Sequence, residues 1–296
     1  TQHYNGTGWS LGGNYPSARY GLASAGTQTA GLAFGGEDGS DNKTNVSAAY
    51  DGSSWTAGPN INSARGQTSG TGTQTSALLA GGRGPGGAAM VTSFEEWNGT
   101  AWANLTAISQ ARGQHFMSGP ETATFIAGGG TGNNAGSPIT NLTEEFDGSS
   151  LSSGGNLNTA RAQGGSSGNS GDGLVFAGAS NEKNTEQYNG TSWTAGGSLI
   201  TGRDQIGGAG ANQDAAVAFA GGESAPNTST KTEGYDGTAW STRPSMSTAR
   251  KTCGSAGTDT AALAFGGFVP PPPETAATEE FTGETTTINV KTLTQS

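Results

Sequence analysis

The chain has 296 residues, a formal net charge of −10 and a single cysteine. It contains no run of 18 apolar residues, which excludes a transmembrane helix, and no basic run, which disfavours nucleic-acid binding. One cysteine excludes an intrachain disulfide framework and a cysteine-based zinc cluster. With 31% hydrophobic residues and 53 glycines, the composition alone is compatible with disorder, so the arrangement of the glycines decides whether the chain folds.

A six-residue pattern recurs from the beginning of the chain: an aromatic residue, any residue, Gly, two further residues and Trp. It returns at intervals of 42 to 49 residues, and one copy has Leu in the Trp position. The copies are Tyr4–Trp9, Tyr50–Trp55, Trp97–Trp102, Phe146–Leu151, Tyr188–Trp193 and Tyr235–Trp240, with a degenerate Phe281-Thr282-Gly283. A period of this length with strand-like content predicts a β-propeller whose blades have four antiparallel strands each.

Two further anchors share this period. An Arg lies ten residues after each Trp position, which accounts for six of the eight arginines: Arg19, Arg65, Arg112, Arg161, Arg203 and Arg250. An apolar run ending in two glycines comes next, as in Leu32-Ala33-Phe34-Gly35-Gly36, although the fourth copy has Ala177-Gly178. Taken in order, the Arg, apolar strand, glycine pair, loop, aromatic residue and Trp resemble the Kelch repeat over nearly the whole chain.

These anchors divide each unit into four predicted strands. In the first unit the first strand begins directly after the Arg, at residues 20–24, and a turn at 26–29 leads to the apolar second strand. The glycine pair ends that strand because its backbone needs positive φ or close packing. The third strand ends at the aromatic anchor, an Asn-Gly or Asp-Gly hairpin follows, and the fourth strand carries the Trp. The Trp side chains are expected to fill the wedges between adjacent blades: Trp9, Trp55, Trp102, Trp193 and Trp240.

The sequence therefore predicts one all-β propeller over residues 1–296, with six blades that begin near the six repeat arginines. The N-terminal strand with Trp9 is expected to complete the blade that begins at Arg250, so that both termini close the ring and no sheet edge is exposed. Residues 285–290 are the alternative outer strand of that blade, and 285–296 form either a closing strand or a tail.

In five of the six units, the repeat arginine has a candidate acidic partner. A Glu stands two residues before the aromatic anchor: Glu95, Glu144, Glu186, Glu233 and Glu279. One Arg and one Glu per blade predict a repeated ion pair, or an Arg-to-carbonyl brace, rather than a basic ring around the channel. A role that is repeated in every blade favours the scaffold, because a binding site usually needs asymmetry.

The segments after the glycine pairs vary in length, whereas the other spacings are constant. They are residues 37–47, 83–93, 130–143, 179–185, 223–232 and 268–278. Loops of one topological type project from one face of a propeller, and unequal lengths there predict a binding surface. The candidate binding residues are Asp38, Asp41, Arg83, Asn133, Asn134, Asn181, Glu182, Glu223, Asn227 and Phe268. The acidic stretch 37–42 suggests calcium ligation as an alternative to a solvated turn, but it lacks EF-hand spacing, so no metal or cofactor is predicted.

Catalytic residues are not predicted. His3 and His115 are the only histidines, and no nucleophile elbow stands on a strand–helix turn. The adjacent carboxylates Glu95-Glu96 and Glu144-Glu145 lie within predicted strands, so their side chains should point to opposite faces, which argues against glycosidase geometry.

The amino-acid sequences of the repeats show a second resemblance. Stretches such as YNGTSWTAGGSLITGR and TDTAALAFGG, and the ending TEEFTGETTTINVKTLTQS, look like Kelch-like repeats in structural proteins of marine and cyanobacterial tailed phages. This resemblance implies a virion or extracellular location and a tail-fibre or adhesin-like module that binds host glycan or protein. The alternatives are a structural component that binds only other virion proteins, and a polysaccharide-degrading enzyme. Membrane insertion is not expected, and an oligomer is compatible with the sequence.

Overall fold

In the part of the chain that the computed structural model describes, all regular secondary structure is β-strand. The described residues are 13–86, 89–132, 137–224 and 227–269, together with the backbone of 278–282. They form 23 strands and no helix, so no helix that could cross a membrane occurs among them.

Five sheets have four antiparallel strands each, in simple chain order. Sheet 1 consists of β1 (Ala23–Thr27), β2 (Ala30–Phe34), β3 (Ser47–Tyr50) and β4 (Trp55–Gly58). Sheet 2 consists of β5 (Ser69–Gly72), β6 (Ala77–Ala80), β7 (Phe94–Trp97) and β8 (Trp102–Asn104). Sheet 3 consists of β9 (Phe116–Ser118), β10 (Thr124–Ala127), β11 (Thr143–Phe146) and β12 (Leu151–Ser153). Sheet 4 consists of β13 (Gly165–Asn169), β14 (Asp172–Phe176), β15 (Thr185–Tyr188) and β16 (Trp193–Ala195). Sheet 5 consists of β17 (Gly207–Asn212), β18 (Ala215–Phe219), β19 (Thr232–Tyr235) and β20 (Trp240–Arg243).

The last sheet differs from the other five. Sheet 6 has three strands, β21 (Gly254–Gly257), β22 (Ala261–Phe265) and β23 (Thr278–Thr282). Six four-stranded blades are predicted, and the described residues show five: five sheets have four strands, and the sixth sheet has three. The outer strands predicted to close the ring, with Trp9 in one and residues 285–290 in the other, lie outside the described residues.

The sheets stand around a common axis as a β-propeller. Their first strands, β1, β5, β9, β13, β17 and β21, each contact the next, and β21 contacts both β17 and β1. Every hydrophobic cluster combines side chains from two neighbouring sheets, and one joins Phe265 and Leu263 of sheet 6 to Ala33 and Tyr50 of sheet 1. The core thus lies between the sheets, where the apolar second strand of each sheet is buried on both faces.

Tryptophan side chains fill the wedges between sheets, as the repeat predicts. The Trp102 ring packs 4.8 Å from Phe34 of the preceding sheet, and Trp240 packs 4.9 Å from Phe176 in the same way. Trp55 of sheet 1 packs 4.9 Å from Phe265 of sheet 6, so the contact also occurs where the two ends of the chain meet. Leu151, the exception in the sequence, packs in the corresponding cluster between sheets 2 and 3.

The glycine pairs link each sheet to the next through the backbone. The N–H group of Gly82 donates to the carbonyl of Arg112, and Gly267 donates to Arg19 in the same way, both at 2.9 Å. Both positions of each linking pair have positive φ, which favours glycine, although Ala177 (φ 62°) and Ala220 (φ 60°) take the first position in two repeats. In the fifth repeat the linking pair is thus Ala220-Gly221, one residue before the Gly221-Gly222 of the sequence pattern. A Cβ at Gly81 would lie 2.2 Å from the Arg112 carbonyl oxygen, so this approach also requires a small residue.

Buried ion pairs brace four of the sheets. Each consists of the repeat arginine and the predicted glutamate at N–O distances of 2.6 to 2.9 Å: Arg65–Glu95, Arg112–Glu144, Arg161–Glu186 and Arg203–Glu233. The second carboxylate oxygen accepts the backbone N–H three residues before the arginine, as in Ser109 to Glu144 at 2.8 Å. A charge buried this deeply needs a partner and further hydrogen bonds, and this arrangement supplies both.

The first and last repeats depart from this bracing. Arg19 is half-buried and donates to Ser17, and Ala48 occupies the position of the glutamate. Arg250 is buried and donates to the carbonyl of Gly266 at 3.0 Å, whereas the side chain of its predicted partner Glu279 lies outside the described residues.

Candidate functional site: the loop face and the central channel

The described parts of the unequal loops lie at one end of the propeller. These loops connect the second and third strands of each sheet and range from eight to 15 residues between strand ends, whereas each described third-to-fourth hairpin has four. At the opposite end, the hairpins between the third and fourth strands lie against the turns between the first and second strands. In sheet 2, for example, a Cβ on Gly99 would lie 3.1 Å from the Thr75 carbonyl oxygen. We call the end with the unequal loops the loop face, and the other end the hairpin face.

A cavity of about 390 Å³ runs along the axis, and the six first strands line it. These strands are rich in Gly, Ser, Ala and Thr because bulky side chains from the second strands lie directly behind them. A Cβ at Gly70 would lie 2.6 Å from the Phe34 ring, and one at Gly208 would lie 2.7 Å from the Phe176 ring. The small residues thus leave the axis open, with a size typical of small-molecule sites.

A ring of residues surrounds the cavity at the loop face. Each member stands two residues after a repeat arginine: Gly21, Gln67, Gln114, Gln163, Gln205 and Thr252. We call these six residues the collar. Every member has a left-handed backbone, with φ between 49° and 67°. This conformation costs a non-glycine residue about 1–2 kcal/mol, and a β-branched Thr adopts it rarely.

Backbone hydrogen bonds connect the collar from sheet to sheet. The N–H of Gln67 donates to Gly21, that of Gln114 to Gln67 and that of Gln163 to Gln114, at 2.7 to 2.9 Å. Thr252 donates to Gln205, and Gly21 donates to Thr252, which joins the first and last repeats. These bonds explain why strand β1 begins at Ala23 and not directly after Arg19 as predicted: the intervening backbone belongs to the collar.

The acidic first loop is held by internal hydrogen bonds and an ion pair. The Asp38 carboxylate accepts the backbone N–H groups of Ser40 and Asn42, both at 2.9 Å, which together with the Asn42 side chain hold the pKa of Asp38 below its usual range. Lys43 pairs with buried Glu37 at 2.9 Å. The Tyr20 hydroxyl donates to Asp41, which has a left-handed backbone with φ of 60°. These contacts engage Asp38, Asp41 and one carboxylate oxygen of Glu37, whereas Oε1 of Glu37 is buried without a partner among the described residues.

Burial raises the pKa of Tyr20 well above its usual value, and its hydrogen bond to Asp41 acts in the same direction. The hydroxyl therefore remains a donor across the physiological range. It connects the start of the collar segment to the tip of the first loop.

Arg83 lies at the base of the second loop. Its backbone pairs with Gly66 and Met90, and its Nε is shielded from solvent without a hydrogen-bond partner among the described residues. Asn133 and Asn134, in the third loop, lie outside the described residues.

The last three loops are joined by side-chain contacts. Asn181 donates to Ser224 of the next loop at 3.1 Å, and Lys251 donates to Asn227 at 2.9 Å. Lys251 also lies over the ring of Phe268, 5.6 Å from its centroid. We call the surface formed by Asn181, Glu182, Glu223, Asn227 and Phe268 the loop patch.

Two oxygens of the loop patch lack partners among the described residues. Oδ1 of Asn181 and Oε2 of Glu182 are both shielded from solvent and accept no hydrogen bond. Glu223, in contrast, pairs with Lys231 at 2.8 Å. Buried acceptors without a partner are costly, so a hydrogen bond donated by a ligand that reached these two oxygens would be favourable.

His115 follows the collar residue Gln114 but is packed between sheets. Its side chain approaches the glycine pairs, and a Cβ at Gly81 would lie 3.1 Å from its Cε1. Neither ring nitrogen has a partner among the described residues. Burial lowers the pKa of His115 to about 3, with the charges of Arg112 and Arg65 acting in the same direction, so the imidazole is neutral at pH 7.

The adjacent carboxylates point to opposite faces, as their strand positions predict. Glu95 pairs with Arg65, whereas a hydrogen bond with Glu121 and partial burial raise the pKa of Glu96 to about 7. Glu144 pairs with Arg112, whereas Glu145 accepts the hydroxyl of Tyr188. Neither Glu96 nor Glu121 lines the axial cavity. The described residues contain no group of three or more His, Cys, Asp or Glu side chains that could hold a metal ion.

The collar was not predicted, although the sequence contains a signal for it. Four copies read Arg, any residue, Gln, at residues 65–67, 112–114, 161–163 and 203–205. The repetition fixes these amides at equivalent positions, but only the ring geometry shows that they converge on the axis. Neither the protein-family models nor the curated proteins with which the chain was compared match it.

Proposed function

We propose that this chain is a non-catalytic binding module on the surface of a phage virion, which attaches to host glycan or protein through its loop face. The observation that carries the proposal is the contrast between the two ends of one scaffold. Loops of eight to 15 residues stand at one end, whereas the other end has third-to-fourth hairpins of four residues and first-to-second turns of two to five residues. Long loops of unequal length at one face are typical of a binding surface.

The loop patch supports a binding role by its chemistry. Contacts from Asn181 to Ser224 and from Lys251 to Asn227 join three neighbouring loops into one surface. Asn181 and Glu182 each have an oxygen that is shielded from solvent and lacks a partner among the described residues, and Phe268 adds an aromatic ring. Adaptable polar groups beside an aromatic residue suit recognition of a glycan or a protein surface.

The virion location rests on the resemblance of the repeats to phage structural proteins. The six-bladed, Kelch-like closure by the terminal segments is part of the same proposal. Its support is the sixfold repetition of the arginines and the hydrogen bond from Gly267 to Arg19, which joins the last repeat to the first.

The test is binding of the fluorescently labelled chain to cells of marine cyanobacteria and to their extracted envelope polysaccharide. A loop-patch variant that combines Asn181→Ala, Glu223→Ala, Asn227→Ala and Phe268→Ala should lose at least tenfold in affinity. Thr56→Ala is the matched control, because Thr56 is exposed on outer strand β4, away from the loops. We expect it to bind like the parent chain.

Three outcomes would contradict the proposal. Full binding by a folded loop-patch variant would show that the loop face is not the attachment site. A chain that ignores every host surface but assembles with tail or capsid subunits would establish the structural role instead. Release of oligosaccharides from the polysaccharide would establish an enzyme.

A further inference from the structure

The axial cavity differs from the rest of this acidic protein in its charge. The chain has a formal net charge of −10, yet no Asp, Glu, Lys or Arg lines the cavity. The one titratable ring beside it, His115, is neutral at pH 7 because it is buried. The cavity therefore offers no ion pair to a charged ligand, and a charged ligand would lose its hydration without compensation.

The collar supplies uncharged hydrogen-bonding groups at the mouth of the cavity. The Gln163 amide donates to the Gln114 side chain at 2.9 Å, whereas the side-chain amides of Gln67 and Gln205 bond to no other described residue. Each amide provides two donors and an acceptor. The mouth can thus both donate to and accept from a ligand, as a hydroxyl group requires.

The backbone does not explain the choice of glutamine. Gly21 occupies the same collar position with the same left-handed conformation, and glycine adopts it without steric cost. Glutamine is less favourable there, but four of the six repeats carry it. Residues held in a sparsely populated conformation commonly mark functional sites, and here the side chain is the feature that differs.

Hydroxyl groups lie directly below the collar. Ser69 and Ser166 lie at the cavity wall, where each hydroxyl donates to a carbonyl of the neighbouring strand and can still accept a hydrogen bond. Leu22 and Ile206 follow two collar residues, but their side chains are buried in the clusters between sheets. A sugar has a rim of hydroxyls, so it matches acceptors of this kind beneath a ring of amides. A volume of about 390 Å³ lies within the range of small-molecule sites.

We propose that the collar and the adjacent cavity bind a neutral saccharide unit, with the amides of Gln67, Gln114, Gln163 and Gln205 bonded to its hydroxyls. The inference deepens the proposed function and rests on it: the loop patch contacts the host surface, and the collar selects an uncharged sugar from that surface. Acidic and phosphorylated sugars are excluded because no cation lines the site.

The experiment uses saturation-transfer NMR and calorimetry on the full chain. The probes are glucose, galactose, mannose and N-acetylglucosamine, with glucuronate and glucose 6-phosphate as charged controls. We expect saturable binding of at least one neutral sugar and at least tenfold weaker binding of its charged counterpart. A variant with all four collar glutamines changed to Gly should bind at least tenfold more weakly, because Gly21 shows that the collar backbone accepts glycine.

Further variants keep the test decisive. If the fourfold variant does not fold, Gln67→Gly and Gln205→Gly remove one free amide each and should each weaken binding about threefold or more. Thr56→Ala should bind like the parent chain. The inference is overturned if no neutral sugar binds the folded parent chain, if charged sugars bind equally well, or if collar variants bind unchanged. None of these results affects the proposed function, which fails only in the loop-patch and host-surface experiments.

Discussion

The packing between neighbouring sheets differs from the loop face in how often its contacts are repeated. Between the sheets the same contacts recur: an arginine paired with a glutamate, a Trp ring on a Phe ring, and a glycine N–H bonded to an arginine carbonyl. On the loop face the collar backbone is repeated, but the loops above it differ, and side chains such as Asn181 and Asn227 form contacts that occur once among the described residues. The repeated contacts between the sheets explain why the ring is stable, whereas the loop patch and the collar amides are the groups that we propose to contact a ligand.

The largest effect should come from breaking one buried ion pair. Glu144→Ala leaves the guanidinium of Arg112, a fully buried side chain, without its carboxylate. We expect a loss of about 3–5 kcal/mol in the free energy of unfolding. Arg19→Ala is the matched control, because Arg19 occupies the same slot in a repeat that has Ala48 and no glutamate; it should cost less than about 0.5 kcal/mol. Equal losses in urea unfolding would show that the pairing is not what stabilises the scaffold.

Replacing one wedge tryptophan should have the next largest effect. Trp240 packs on Phe176 and donates its indole N–H to Thr185 at 3.0 Å. Trp240→Ala should cost about 3–4 kcal/mol, because it opens a cavity between sheets 4 and 5. Trp240→Leu should cost roughly half of that, since Leu151 fills the corresponding wedge between sheets 2 and 3. Thermal or urea unfolding measures both, and an Ala variant no worse than the Leu variant would contradict the packing account.

His115 allows a pH test of an unrepeated residue inside the repeated core. Its folded-state pKa is lowered to about 3, so the unfolded chain binds the proton first as the pH falls below about 6.5. Stability should therefore decrease between pH 6.5 and 3, with a loss of about 2 kcal/mol already at pH 5. His115→Leu should abolish this loss, because Leu22 occupies the equivalent position in the first repeat. An unchanged pH dependence in the variant would show that His115 is accessible to protons.

The hairpin face should show a smaller, acid-dependent effect. Backbone N–H groups, and serine hydroxyls where present, lower the pKa of Asp51, Asp147 and Asp236, to about 2 for Asp147. Their contribution is present above the unfolded pKa of about 3.9 and is lost as the pH falls below it. Changing all three to Asn should remove this acid sensitivity while preserving the hairpins, because Asn98 and Asn189 accept the same backbone bonds. Urea midpoints between pH 2 and 7 measure the difference, and a triple variant that remains equally acid-sensitive would assign the effect elsewhere.

Sequence periodicity predicted the scaffold because each anchor interacts with a neighbour at a constant spacing. The constant spacing of Arg112 and Glu144 predicted either an ion pair or an Arg-to-carbonyl brace, and the structure shows both. The Asp-Gly and Asn-Gly signals located the hairpins. The start of β1 was placed too early because a left-handed residue two positions after Arg19 leaves no local trace in a Gly-rich segment. Six complete blades were predicted from repeat counting, whereas five are complete in the described part of the chain.

The site was less predictable because it depends on residues that meet across repeats. Loop length alone placed Asn181, Glu182, Glu223, Asn227 and Phe268 on one face. Their contacts, such as Asn181 with Ser224, cross between sheets and have no signature in sequence spacing. The collar glutamines were missed since a polar residue after an arginine is unremarkable until the ring brings four of them to one axis.

The most direct test of this division between scaffold and site is a hydroxyl-radical footprint of the bound chain. The parent chain would be compared free and in complex with the envelope polysaccharide of the cells that bind it. The account predicts protection at residues 179–185, 223–224 and 227–232 and at Phe268 on the loop face, with no change in the hairpins at 51–54, 98–101, 147–150, 189–192 and 236–239. Protection of the hairpins with an unprotected loop face would contradict it.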